Sequence, residues 1–292
     1  MSRIGIMQGR LVRPVEGRFQ CFPRASWEAE FPRAAQASIE CIEWIWDECG
    51  ADVNPLASED GLHNMQALAA RYGVQVRSVC ADYFMDRPLL RVEPEERQER
   101  LKHLLWLLDR CGKAGIERVV LPFVDASRID TDEDRDNVVA CVTAALAVAE
   151  RTRVELHLET SLPPRPFADL LESLPHPLVR VNYDSGNSAS LGYDPAEELA
   201  AYVERIGSVH IKDRIRGGST VPLGRGDADF QAVFACLEKI DYQGDFILQV
   251  ARGIPGDEVQ WARHNRAFVQ DHLARRGALA VGHLSDTYGA LR

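Results

Sequence analysis

Four short apolar runs of this chain end on residues that bind metals or move protons. LHLE closes on Glu159, VNYD on Asp184, VHIKD presents His210 with Lys212 two residues later, and FILQ closes on Gln249. The gaps between the four, of 25, 26 and 39 residues, each leave room for one helix and its loops. Two carboxylates, an imidazole and an amide oxygen make a hard, mostly oxygen donor set. That set suits one divalent ion, Mn²⁺, Mg²⁺ or Co²⁺, with Zn²⁺ also admissible. An ion there could bind adjacent oxygens of a sugar. Taken singly, each residue has an ordinary structural explanation: Glu159 as a loop or helix cap, Asp184 as an Asx-turn before Gly186, His210 as a hydrogen-bonded core histidine. Four at consecutive strand ends point to a shared role.

The elements that must position them alternate regularly. Ile4 to Met7 is a buried parallel strand cut off by Gln8, Gly9 and Arg10. Strands are further predicted at IECIEWIW, VQVRSVCADY, ERVVLPF, VELHLE, VRVNYD, GSVHI and DFILQV. Helices are predicted between them. Ser26 opens one that Pro32 bends or breaks into two pieces. The next carries Leu62, Met65, Leu68 and Ala69 on one face and closes at Gly73. Pro94 opens the clearest, with Leu101, Leu104, Leu105 and Leu108 at i, i+3, i+4, i+7. The pattern continues through DRDNVVACVTAALAVAERT, Leu170 to Leu174, DPAEELAAYVERIG, Asp229 to Ile240 and Asp257 to Arg276. Eight strand–helix units define an α/β chain folded as a (β/α)₈ TIM barrel, whose active site lies at the C-terminal strand ends. An open doubly wound sheet is the main rival, but no G-x-G-x-x-G follows the first strand and no phosphate-binding P-loop motif occurs. One domain over residues 1–276 is expected, with an extension at 277–292 that packs on the barrel or on a partner subunit, so that a homo-oligomer is open.

Composition narrows the function classes. The 292 residues are 46% hydrophobic and 27% charged, ordinary values for a globular protein, with a net charge of −10 spread through the helical segments. That charge argues against a duplex nucleic-acid partner, which needs a basic face. The seven cysteines are scattered and never in a CxxC pair, as expected of reduced thiols in a cytoplasmic protein. No export signal or membrane-spanning run is read, so a small sugar-like molecule is the expected partner.

The set LHLE, NYDSGN, VHIKD and LGRGDADF, with MQGRL at the start, resembles the xylose isomerase-like TIM barrels. These include sugar and sugar-phosphate isomerases and epimerases, and the AP endonuclease family 2-type barrels. The resemblance implies a divalent metal held by Glu159, Asp184 and His210 plus a fourth ligand from the eighth strand. In the family's epimerases that fourth ligand is a glutamate; here it is Gln249. The family mechanism moves a proton next to a carbonyl through a metal-stabilised enediolate, with two metal-bound glutamates as a pair of bases. Glutamine can coordinate through its oxygen but cannot take a proton. Glu159 therefore stands as the one base, and His157 or Lys212, each two residues from a ligand along its strand, as a replacement for the other. His157 reads equally as a buried layer residue and Lys212 as an ion-paired one. A non-endonuclease reading follows from the shortage of further metal-ligand histidines and of a basic groove.

Other polar residues follow strand ends and are candidate substrate contacts: Gln8 and Arg10 after the first strand, Glu43 on the second, Asp82 after the third, Arg214 after the seventh and Arg252 after the eighth. Glu43 resembles the family glutamate that meets substrate hydroxyls. Arg214, Arg216 and Arg252 hint at an anionic substituent, since guanidinium grips phosphate or carboxylate bidentately; a solvated or salt-bridged arginine is the equal alternative. Asp227 and Asp229 are expected to start the next helix. The function expected is a metal-dependent sugar isomerase or epimerase. The alternatives are a dehydratase or lyase on a keto-polyol and a non-catalytic metal- or sugar-binding barrel.

Overall fold

The predicted runs become strands because each is apolar enough to be covered on both faces. In the computed structural model they are β1 (Ile4–Met7), β2 (Cys41–Ile45), β3 (Gln75–Cys80), β4 (Arg118–Phe123), β5 (Glu155–Thr160), β6 (Val179–Asp184), β7 (Ile206–Ile211) and, after a two-stranded hairpin of β8 (Asp213–Arg214) and β9 (Thr220–Val221), β10 (Phe246–Leu248). The structure describes residues 2–288, with side chains described to Arg275. The eight long strands form a closed parallel barrel in the order β1-β10-β7-β6-β5-β4-β3-β2. This is the (β/α)₈ barrel expected from the alternation.

Around it run α1 (Glu30–Gln36), α2 (Glu59–Tyr72), α3 (Tyr83–Asp86), α4 (Pro94–Ala114), α5 (Asp132–Thr152), α6 (Pro164–Glu172), α7 (Ser185–Leu191), α8 (Pro195–Ala201), α9 (Phe230–Lys239) and α10 (Glu258–Tyr288). Local chemistry sets their ends. Ser58 caps α2 through Gly61 N, and Gly73 ends it at φ 66°, where a side chain would be strained. α4 starts on Pro94 and buries Leu104, Leu107, Leu108 and Cys111. Each such leucine contributes roughly 1.5–3 kcal/mol of transfer free energy. The first helical segment does split, but at Glu30 rather than Pro32: a 3₁₀ turn at Trp27–Ala29 precedes α1, and Pro32 falls in the first turn of α1, where no N–H partner is lost. Asp229 caps α9, whereas Asp227 instead accepts from Arg216 N in the hairpin.

Unexpected elements include α3, which begins at Tyr83 inside the predicted VQVRSVCADY strand, α7 and the β8–β9 hairpin. The predicted helix over 194–207 is shorter, with α8 ending at Ala201. α10 runs past the predicted limit of Arg276, and the packing expected of 277–292 lies outside the described side chains. The seven cysteines are free thiols. Among the described residues no helix is long and apolar enough to cross a membrane. At the floor of the barrel, Asp245 receives Arg118 at 2.6 Å and Arg77 at 3.0 Å, so the buried charges there are paired.

Candidate metal and sugar site

β5, β6 and β7 are neighbours in the barrel, so their C-terminal ends deliver Glu159, Asp184 and His210 to one place. One ligand atom from each lies within 4.8 Å of the others. Asp184 ends β6 and begins α7: its Oδ1 accepts from Gly186 N at 2.9 Å and Asn187 N at 2.8 Å, which fixes the carboxylate and leaves Oδ2 facing His210. Gly186 is needed because α7 passes so close to Lys212 that a Cβ would lie 2.6 Å from its Cγ. Ser185 ties the same turn to the end of β7, donating to Lys212 O at 2.8 Å. α7 in turn aims Asn187, whose amide donates to Glu159 Oε1 at 2.7 Å, while Asn182 on β6 donates to Oε2 at 2.9 Å. Glu159 is thus held by two amides, with the His210 ring 3.3 Å from its Oε2.

His210 is fully buried, and its two nitrogens do different things. Nε2 faces Glu43 Oε1 on β2 at 2.7 Å. Nδ1 makes no hydrogen bond, although it is buried 3.3 Å from Glu159 Oε2 and 3.8 Å from Asp184 Oδ2. A carboxylate that takes the proton of one ring nitrogen leaves the other as a lone-pair donor, the usual way a protein orients a metal-bound imidazole. Burial disfavours the imidazolium of His210, yet Glu43 and Glu159 outweigh it and push its pKa up to about 10. Burial likewise acts to raise Glu43, but His210 holds it below the ordinary carboxylate range. The surrounding carboxylates therefore favour positive charge at this point, proton or metal ion. An unpaired imidazole nitrogen converging with two carboxylates fits a divalent cation.

Gln249 lies one residue past β10 and is 6% exposed. Its Oε1 accepts from the Lys212 ammonium at 3.0 Å, and its Nε2 donates to Gln20 at 3.2 Å. Lys212 also reaches Asp184 Oδ2 and Asn187 Oδ1, each at 3.2 Å. The ammonium therefore stands beside the trio on the side where a fourth ligand was expected.

A cavity of about 550 Å³ opens over this arrangement, walled by Glu159, Lys212, Gln249, Asp82, Arg214 and the loop residues after β1, β3 and β4. Asp82 accepts from Gln20 at 2.8 Å and from the Cys80 thiol; burial pushes its pKa up to about 6. The other expected contacts are elsewhere. Glu43 is fully buried behind His210. Gln8 is fully buried and accepts from Ile45 N. Arg10 holds Val250 O, Phe19 O and the Gln20 side chain, and Arg252 holds Gly9 O, Val12 O and Phe19 O. His157, one layer below Glu159, bonds Ser208 at 2.7 Å and Glu155 at 2.8 Å, away from the cavity. Ser208 passes the contact on to Asn182, so His157 supports Glu159 through two side chains. Asn182, Asn187 and Gln20 were missed by the sequence reading. The first two stand in the quoted NYDSGN run, and that run was the signal available.

The fold and the site together define a (β/α)₈ barrel with a carboxylate–histidine centre at its C-terminal mouth. The chain belongs to the xylose isomerase-like TIM barrel family, whose model matches residues 31–272. It is 26% identical over 238 residues to L-ribulose-5-phosphate 3-epimerase UlaE of Salmonella paratyphi C (strain RKS4594), covering 77% of this chain and 82% of that one. It is 32% identical over 143 residues to inosose dehydratase of Geobacillus kaustophilus (strain HTA426), covering 41% and 46%. A solved L-ribulose 3-epimerase superposes with a TM-score of 0.74 at 18% identity over 96% of this chain and 97% of that one.

Proposed function

We propose that this chain is a sugar isomerase or epimerase that works with one divalent metal ion. Enzymes of this general type are its relatives. The observation that carries the metal is the buried, unpaired Nδ1 of His210 facing Glu159 and Asp184 with Glu43 on the opposite nitrogen. Glu159, Asp184 and His210 would hold the ion, which when bound supplies a Lewis acid for the charge that develops on a substrate oxygen.

Proton movement falls to the chain's own groups. Glu159, held in place by two amide donors, is the base that removes the proton beside the carbonyl. Gln249 cannot return it. Lys212 stands beside Gln249 on the cavity wall and is the cationic group positioned to deliver a proton or to stabilise an oxygen anion. Asn187 and Gln249 orient its ammonium. A dehydratase acting on a keto-polyol is the second reading, and the same lysine favours it, because an ammonium can protonate a departing hydroxyl.

The test is metal content followed by isotope exchange. Purified protein is expected to carry close to one divalent ion per chain by elemental analysis, lost in His210→Ala; unaltered metal in that variant would sink the assignment. In D₂O, exchange at carbon without loss of water supports isomerisation, and loss of water supports dehydration.

A further inference from the structure

We propose that the substrate is an uncharged keto-sugar or polyol and that terminal phosphate esters are disfavoured, which rests on the sugar-enzyme reading above. It separates this chain from the relative named for a 5-phosphate. The anion-binding groups at the mouth are for the most part already engaged by the chain itself.

In (β/α)₈ barrels a substrate phosphate is commonly held by backbone amides of the loops after the seventh and eighth strands. Here the loop after β7 does gather such amides, but the chain fills them itself. The Asp213 carboxylate, fully buried, accepts from Arg225 N at 3.0 Å and Gly226 N at 2.9 Å through Oδ2, and from Ala228 N at 3.1 Å through Oδ1. A covalently attached anion occupies the nest, and a phosphate would have to displace it.

The cations are engaged as well. Arg214 directs Nε and Nη2 to Gly218 O and Nη1 to Asn187 Oδ1. Lys212 has three oxygen partners. Arg252 and Arg10 hold backbone carbonyls, and Arg216 lies against Gly192 off the cavity wall. Among the described cationic side chains of the wall, that of Arg18 alone has no hydrogen bond or ion pair, and the charges that act on it belong to Asp47 and Asp86. Carboxylates on the wall outnumber cations, five to three: Asp47, Asp82, Asp86, Asp125 and Glu159 against Arg18, Lys212 and Arg214. With a divalent ion held by Glu159, Asp184 and His210 the balance is even, so the wall offers a dianionic ester no surplus of positive charge. It suits hydroxyls, which donate to carboxylates, and Phe19, Met85, Pro122 and Val124 add apolar wall for a sugar's C–H face.

The experiment offers ketopentoses and ketohexoses as pairs, each free and as its terminal phosphate ester, to the full chain loaded with Mn²⁺, and reads deuterium exchange at carbon. The free member of each active pair is expected to exceed its ester in kcat/KM by about tenfold or more, the scale of one unmet charged contact. Inorganic phosphate is expected not to compete. Preference for an ester, or competition by inorganic phosphate against the free sugar, overturns the proposal. If no pair exchanges, the isomerase reading fails, and calorimetric titration of the same pairs decides the specificity separately. Tighter binding of a free sugar supports it; tighter binding of an ester, or binding of neither, overturns it.

Discussion

The two sides of the barrel mouth use similar residues and do different things with them. On the β5–β7 side, Glu159, Asp184 and His210 are each held by one set of atoms and leave another set facing the cavity or one another. On the β1–β10 side, Gln8, Arg10 and Arg252 are equally polar and equally close to strand ends, with Glu30 at the start of α1 beside them, but their atoms bind the chain. Glu30, fully buried, accepts from Gly9 N at 2.6 Å, and the two arginines grip carbonyls of the loop that follows β1. A polar strand end becomes a site only when the atoms it leaves unpaired converge with others beside the cavity. Gln8 Nε2 and Glu30 Oε2 are also buried without a partner, but neither residue lines the cavity, and the rest of their atoms brace the chain.

The largest effect that would sharpen this contrast is on the bracing side. Burial pushes the Glu30 carboxyl up to about 7 from an ordinary value of 4.5, against the two amides that favour its ionised form. Between those values the folded chain holds a proton that the unfolded chain has released. Unfolding then releases it, so raising the pH favours the unfolded state. The full stability of the protonated carboxyl is present below about pH 4.5 and has been lost once the pH passes the folded value near 7. The unfolding free energy of the wild type, measured against that of Glu30→Gln, is expected to fall by up to about 3 kcal/mol between pH 5 and pH 8. A difference that stays flat over that range would show that Glu30 is ionised throughout and that the brace is a charged one.

On the other side the sharper probe is Glu43, fully buried and placed 167 residues from His210 in sequence. If its work is to take the Nε2 proton, Glu43→Gln keeps the shape but removes the charge that makes Nδ1 a strong donor. Metal affinity is expected to fall about 10- to 100-fold in a competition titration against a chelating dye, as for other carboxylate–histidine pairs. Unchanged affinity alongside a raised KM for sugar would return Glu43 to the role expected from sequence, a contact to substrate hydroxyls.

The depth of Glu43 shows where the sequence was readable. Strand ends were legible because parallel barrel strands are continuous apolar runs that stop at polar residues, and Glu159, Asp184 and His210 stand at or next to such stops. Glu43 lies two residues before the end of β2 and so points inward one layer deeper, a depth that no local pattern encodes. α7 was invisible because SGNSASL is short, small and polar, with no apolar period; its packing on β7 through Ser185 and Gly186 makes it a helix. Asn187 inherits its position from that helix and could not be placed without it. Lys212 was foreseen as either catalytic or ion-paired, and the structure gives it an ion pair with Asp184 inside the cavity.

Arg252 gives the smallest effect and the most direct test of the brace. Its guanidinium reaches Gly9 O at 2.8 Å, Val12 O at 3.2 Å and Phe19 O at 3.0 Å, tying the end of the barrel's last strand to the loop after its first. Truncation to alanine leaves those carbonyls to solvent where they can reach it and unpaired where they cannot. Arg252→Ala is expected to lower the unfolding free energy by about 1–2 kcal/mol, read from a denaturant midpoint, with metal content unchanged. An arginine that gripped the substrate would do the reverse, leaving stability alone and raising KM. The two outcomes move different observables, so one variant distinguishes a brace from a binding residue at the position where residue type and strand-end placement together could not.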